Sequence, residues 1–374
     1  MRRFALHAMP RILTVLAAGS VSQYAVAFDA QAAINNACIT GGSVDLPATL
    51  TLTTTLNFKC PTTTGNLPVV VKGAPTYVTC QTAGTPCIVM GVTGSAYNSG
   101  ENISLRDIVM TGPGWMTAGS EAIRIYESAS WSKISDVRID NFETGMHFIG
   151  TTLLQSVFTD KIVIGAPSAS TKTAIHLDGV NANIKFTNFQ LSAQRQVILD
   201  DGPGGMGAGA TFDTGQFNSA ITPGVPGISV SSTDHNLHAL MLSNIEDWET
   251  ACPYLEIGDA GSVVITGVAW TGNPWGGTGN AAIHILPNTI SYLKVSNAVI
   301  DPCQTNGELL RNESASSFVA FNNSDLYLGS LNFVNGGQGA FTGNRCTSST
   351  GGSSLIGNLA NVRASGNLGN CADR

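Results

Sequence analysis

Ile175-His176-Leu177-Asp178 and Val197-Ile198-Leu199-Asp200, 22 residues apart, are two copies of one pattern: two apolar residues flank an intervening residue, and an aspartate follows. The same alternation extends in both directions. Ile123-Arg124-Ile125 and Met146-His147-Phe148 precede it, and Ile228-Ser229-Val230, Leu255-Glu256-Ile257 and Ile283-His284-Ile285 follow. The first residues of the seven triplets are separated by 23, 29, 22, 31, 27 and 28 positions. Alternation with a period of two is a strand signal. Recurrence every 20 to 50 residues marks an array of stacked units. These steps are too short for a strand, a crossover helix and two loops, but they suit one coil of two or three short strands. The pattern predicts an all-β chain, a single-stranded right-handed parallel β-helix (β-solenoid). In each triplet the outer two residues face the core and the middle one faces out.

Further strand candidates lie between the triplets, at 134–139, 157–164, 184–189, 263–270 and 293–300, separated by loops rich in Gly, Asn, Ser and Pro. Helical periodicity is confined to the start. Asp29 can N-cap a helix over 30–37, and Gly41-Gly42 can end it. Such a helix would cap the open end of a solenoid, where strand edges would otherwise be bare. The expected organisation is a signal peptide over 1–27, an N-terminal cap and first coils over 28–95, coils over 96–345, and a Gly/Ser/Asn-rich cap or tail over 346–374.

Arg2, Arg3 and Arg11 followed by an apolar run and Ala25-Val26-Ala27 read as a secretory signal, too short to span a bilayer. Removal before Phe28 leaves 15 Lys and Arg against 25 Asp and Glu, a balance of −10. A chain this acidic is a poor partner for nucleic acid, whose phosphates need cations. Charged residues are only 11% of the sequence, and no later run is apolar enough to anchor in a membrane. All eight cysteines follow the signal, and no CxxC pair occurs, which favours disulfides over a zinc cluster and a secreted or periplasmic location. Cys80–Cys87 is the most local pairing. Cys252 and Cys303 lie about two coils apart and can pair only if their loops bend toward each other along the axis.

Phe28-Asp29-Ala30-Gln31-Ala32-Ala33-Ile34, running through Gly41-Gly42-Ser43-Val44-Asp45-Leu46-Pro47, resembles the opening of pectate-lyase-like β-helix proteins: an acidic residue, an Ala/Ile-rich cap helix, a Gly-Gly turn and a strand ending in Leu-Pro. The later coils resemble the same superfamily, whose members include lyases, hydrolases, epimerases, esterases and non-catalytic binding proteins. Asp200-Asp201 also resembles the Asp-Asp pair of polygalacturonases, while the partner motifs Asn-Thr-Asp, Gly-His-Gly and Arg-Ile-Lys are absent. The resemblance implies a glycan-directed protein.

Stacking the triplets puts Arg124, His147, His176, Ile198, Ser229, Glu256 and His284 in one outward row. Two residues on, the next row brings Asp178 beside Asp200, with Asp201 adjacent. Close carboxylates split their pKa values, so that one remains an acid while the other ionises. The expected catalytic groups are Asp178, Asp200 and Asp201, with Glu256 and Asp259 as the next carboxylates along the face. Arg124, His147, His176, Glu256 and Trp270 are expected to bind substrate. The leading expectation is a glycoside hydrolase on an extended polysaccharide, with no cofactor. The alternatives are a non-catalytic glycan-binding or surface-interaction β-helix, and a polysaccharide lyase in which carboxylates hold calcium. Gly202 to Gly207 matches GxGxxG but opens no helix, so a dinucleotide site is not expected. Asn102, Asn312 and Asn322 lie in N-x-S sequons.

Overall fold

The computed structural model describes residues 28–60, 68–94, 102–165, 171–201, 208–218, 224–231, 238–248, 252–258, 260–271, 281–303, 307–327, 329–347, 356–357 and 361–369. The expected signal peptide and Asp259 lie outside them. Among the described residues the chain is a parallel β-solenoid with one α-helix, Ala30–Thr40. One ladder runs Asn57, Val89, Arg124, His147, His176, Ile198, Ser229, Glu256, His284, Arg311, Asn332, Gly357, each residue paired in parallel with the next. All seven triplets therefore fall in the register that their alternation predicts.

The cause is burial. Ile123, Ile125, Met146, Phe148, Ile175, Leu177, Val197 and Leu199 are fully enclosed, while the middle residues stay partly exposed. A one-residue slip would invert every coil, so the apolar pattern pins the register. Farther round the coil, Phe186 and Phe212 stack in the interior with ring centroids 4.4 Å apart, and Phe148 meets Phe186 edge-on.

One corner of the successive coils is built the same way. Asp107, Asp136, Lys161, Asn188, Thr214, Asn244, Gly267, Asn297, Asn323, Gly343 and Gly366 all have positive φ and lie between strand positions that pair coil to coil. Asn, Asp and Gly tolerate this left-handed conformation better than other residues, which is why the loop composition is so rich in them.

The cap helix forms as its sequence predicts. Asp29 accepts from the Ala32 N–H at 2.9 Å, Gly41 closes the C-terminus, and Ile34, Ala37 and Cys38 are buried against the first coil. Disulfides join Cys38–Cys60, Cys80–Cys87 and Cys252–Cys303; the last spans 5.6 Å between Cα atoms because the two loops approach along the axis. No described cysteine is free. Arg345–Thr347, Val362–Ser365 and Leu368–Gly369 pair in parallel with the strands before them. No described helix is long and apolar enough to cross a membrane.

Candidate active site

Strands Glu121–Tyr126, Thr144–Gln155, Thr173–Ser192 and Arg195–Asp200 lie side by side and bring one polar network to the outer face. Arg124 grips Glu121 through two hydrogen bonds of 2.7 Å. Glu121 Oε1 lies 3.0 Å from His147 Nδ1, and His147 Nε2 lies 2.9 Å from Asp178 Oδ2. His176 Nε2 stands 3.4 Å from Asp178 Oδ1 and 3.0 Å from Asp200 Oδ2. The two imidazoles stack, centroids 4.5 Å apart and 5° from parallel. Residues separated by 22 to 31 positions in the chain become neighbours because each coil repeats the same outward position.

Charges in the network are held unequally. Burial by itself would raise Glu121, but hydrogen bonds from His147 and Arg124 outweigh it and bring its pKa to about 2. Burial would lower His147, yet Asp178 and Glu121 on its two nitrogens push it up to about 9. Asp178 is held well below the usual carboxylate range, because hydrogen bonds from His147 and Asp200 and the charge of the histidines overcome its burial. Asp200 is raised by burial, with Asp178 adding to the rise and His176 opposing it. The aspartate pair thus divides, with Asp178 driven down and Asp200 up.

A shared imidazole links the two carboxyls, and their placement has a chemical consequence. A glycosidase acid and nucleophile stand about 5–5.5 Å apart, and an acid and base that admit a water stand about 6.5–9.5 Å apart. Asp178 and Asp200 lie on adjacent coils of one face and share the His176 imidazole, so they are read as one acid–base unit on one side of a substrate. Asp201 is mostly buried, with His238 Nε2 3.3 Å from its Oδ1.

Two sequence expectations are corrected or completed. Trp270, read as an exposed sugar-stacking face, is 1% exposed and packs against Tyr254, centroids 5.6 Å apart. The left-handed corner at Gly267 resets the alternation and turns the indole inward. Glu121 was not expected in the site. Simple alternation from Ile123 assigns it to the interior, but Ala122 and Ile123 are both buried, and this break in alternation turns Glu121 back toward Arg124. The same device recurs at Glu308, where Leu309 and Leu310 are both buried before Arg311. The spacing Glu-x-x-Arg, seen at both places, is the signal that finds them.

That second Glu-x-x-Arg belongs to another cluster on the same face. Glu256 Oε2 lies 3.5 Å from His284 Nδ1, and His284 Nε2 lies 3.7 Å from Glu313 Oε2. Arg311 bonds Glu313 at 2.5 Å, and Asn332 donates to Glu308 at 2.7 Å. Only Ile198 and Ser229 separate the two clusters in the middle row. Of the sequon residues, Asn312 is fully buried and closed to modification in the folded chain.

No family profile matches the chain, and no curated protein sequence matches it. Among solved structures it is similar to the Dettilon tailspike protein, with 13% identity and a TM-score of 0.50 over 90% of this chain and 62% of that one. Weaker likenesses are to the enzymatically active domain of tailspike protein 2 of bacteriophage CBA120 (15% identity, TM-score 0.43, 83% of this chain and 44% of that one). The full-length tailspike protein 2, from a bacteriophage of Escherichia coli O157:H7, gives 16% identity and a TM-score of 0.45, over 85% of this chain and 40% of that one. The chain spans less than two thirds of the length of these proteins. At such identity the likeness to the Dettilon protein is one of fold: a parallel β-solenoid.

Proposed function

We propose that this is an extracellular glycan-degrading β-solenoid of the pectate-lyase-like kind, a glycoside hydrolase in which Asp200 is the proton donor and Asp178 its ionised partner. The observation that supports the reading is the asymmetry of the pair: adjacent coils place on one outward face a carboxylate whose pKa is held down by hydrogen bonds and charge from two histidines and a second, about one-third exposed, whose pKa burial pushes up. A carboxyl whose pKa is raised is the better proton donor to a departing glycosidic oxygen. Water attack then requires a carboxylate across the groove. Glu256 is the next such group along the described face, two coils on and about 9.6 Å farther along the axis. A separation at or beyond the wide end of the acid–base window disfavours a retaining mechanism. His147, held charged to about pH 9, is no base at neutral pH, which disfavours it as the abstracting group of a lyase. Disulfides fit an oxidising compartment.

The test is turnover on a panel of neutral and charged polysaccharides, with reducing ends and unsaturated products measured in parallel and the anomer followed by NMR. Asp200→Asn and Glu256→Gln are expected to lower kcat by about 10²–10⁴-fold while retaining glycan binding. A parent that binds a glycan and cleaves none makes the protein a scaffold. Full activity in both variants moves the chemistry elsewhere.

A further inference from the structure

The face of the first cluster also has the makings of a metal centre, which calcium chemistry would not fit. One ring nitrogen each of His147 and His176 and one Asp178 oxygen all lie within 4.8 Å of one another. Both imidazoles aim the same edge at one carboxylate, at 2.9 and 3.4 Å, because their rings are stacked and nearly parallel. The opposite nitrogen of His147 meets Glu121 at 3.0 Å, and Arg124 clamps Glu121 in turn. A carboxylate behind a histidine, fixing its tautomer and orientation, is the usual outer support of a metal-bound imidazole. Asp200 stands 3.0 Å from His176 Nε2, and its other oxygen is buried with no hydrogen-bond partner.

We infer that His147, His176 and Asp178, with Asp200 as fourth donor, bind one divalent transition-metal ion of the Zn²⁺ or Co²⁺ type. Metal binding displaces the proton of His147 and ionises Asp200; Glu121, Asp178 and Asp200 against Arg124 then leave two negative charges, which a dication balances. Two imidazoles among carboxylates suit borderline ions, whereas Ca²⁺ and Mg²⁺ take oxygen shells. Tetrahedral bonds of about 2.1 Å bring two nitrogens to roughly 3.4 Å, so the ligand atoms must draw in by about an ångström. These side chains sit at the solvent edge, 12–36% exposed, and can rotate that far. The binding itself does not depend on catalysis. One consequence does rest on the proposed hydrolase: an ion held by Asp178 and Asp200 takes the lone pairs the acid–base unit uses, and so stops turnover.

The experiment uses the full secreted chain with any affinity tag removed. Zn²⁺ is titrated against a chromophoric chelator, and Co²⁺ is followed by its visible absorption. The expected result is one saturable site, no competition by Ca²⁺ or Mg²⁺, a loss of at least 100-fold in affinity in His147→Gln and His176→Gln, and a loss of about 10–100-fold in Glu121→Gln, whose effect is indirect. His284→Gln, in the other cluster, is expected to bind as the parent does. Circular dichroism of each variant checks the fold. Absence of saturable Zn²⁺ and Co²⁺ binding overturns the inference, as does parent-like binding in both histidine variants. Because binding is read without any substrate, an inactive parent that holds zinc leaves the metal site standing, and an active parent that holds none leaves the hydrolase reading standing.

Discussion

His147 links two carboxylates across three coils, and its contribution to stability must vanish at alkaline pH. Its pKa rises from the ordinary 6.5 to about 9 in the folded chain. The folded state therefore binds more protons than the unfolded state between these values, and stability falls as pH rises through that window. The stabilisation is fully present below about pH 6.5 and gone above about pH 9. A difference of roughly 2.5 pKa units at about 1.4 kcal/mol each corresponds to about 3.5 kcal/mol. The low pKa of Glu121 describes the same ion pair from its other end, so the two are not added. On the acid side Glu121 works in the opposite sense: its stabilisation is present above about pH 4.5 and is lost toward pH 2.

The perturbation is His147→Gln, which keeps a polar side chain but cannot ionise. Urea unfolding of parent and variant in a chelating buffer, at intervals from pH 6 to 10, gives the difference in stability at each pH. That difference is expected to be largest near pH 6.5 and to shrink by about 3.5 kcal/mol by pH 9.5. Little sensitivity to salt is expected, because the side chain is 12% exposed. NMR of histidine-labelled protein reads the same quantity directly. A parent–variant difference that stays flat with pH, or a His147 that titrates below 7, refutes the argument.

Four further outcomes follow from the fold. Ile175→Asp and Leu199→Asp each bury an unpaired charge in the fully enclosed core and are expected to abolish cooperative folding, read by circular dichroism. Thr214, β-branched in a left-handed corner, lies in register between Asn188 and Asn244; Thr214→Asn is expected to add about 1 kcal/mol in urea unfolding. Trp270→Ala is expected to cost about 3–5 kcal/mol of stability and to leave glycan affinity unchanged by calorimetry, because the indole is core. Thiol titration of the denatured, unreduced protein is expected to find none of Cys38, Cys60, Cys80, Cys87, Cys252, Cys303 or Cys346 free.

The coil register was legible because burial acts on every second residue and the same alternation returns once per coil. The outward row was legible for the same reason, and it brought Asp178 and Asp200 together across adjacent strands as expected. What alternation misses are the places where two consecutive residues are buried. Ala122-Ile123 and Leu309-Leu310 each shift the phase by one, and with it the direction of Glu121 and Glu308. The turn at Gly267 does the same to Trp270. Nor does a sequence show how far side chains lean once they are stacked. That Asp178 and Asp200 both reach the His176 imidazole is set by how those side chains lean.

A solenoid site of this kind has no local motif, and the reason is geometric. Glu121, His147, His176 and Asp200 each come from a different coil, and each is adjacent in space only because parallel pairing repeats one outward position at every turn. Between them the chain is free to lengthen or shorten its loops, as the steps of 22 to 31 residues show, without moving any functional group relative to the next. Selection on such a site acts on columns of the coil rather than on runs of sequence. The Arg124–Glu121–His147 arrangement and its counterpart Arg311–Glu308 near His284 illustrate the point: the same three residue types gather at two places on one face, with the chain order reversed around the histidine. In one cluster the histidine follows the Glu-x-x-Arg by one coil, and in the other it precedes it. The arrangement is therefore set by which residue types stack on neighbouring coils, and its chemistry must be sought in those columns.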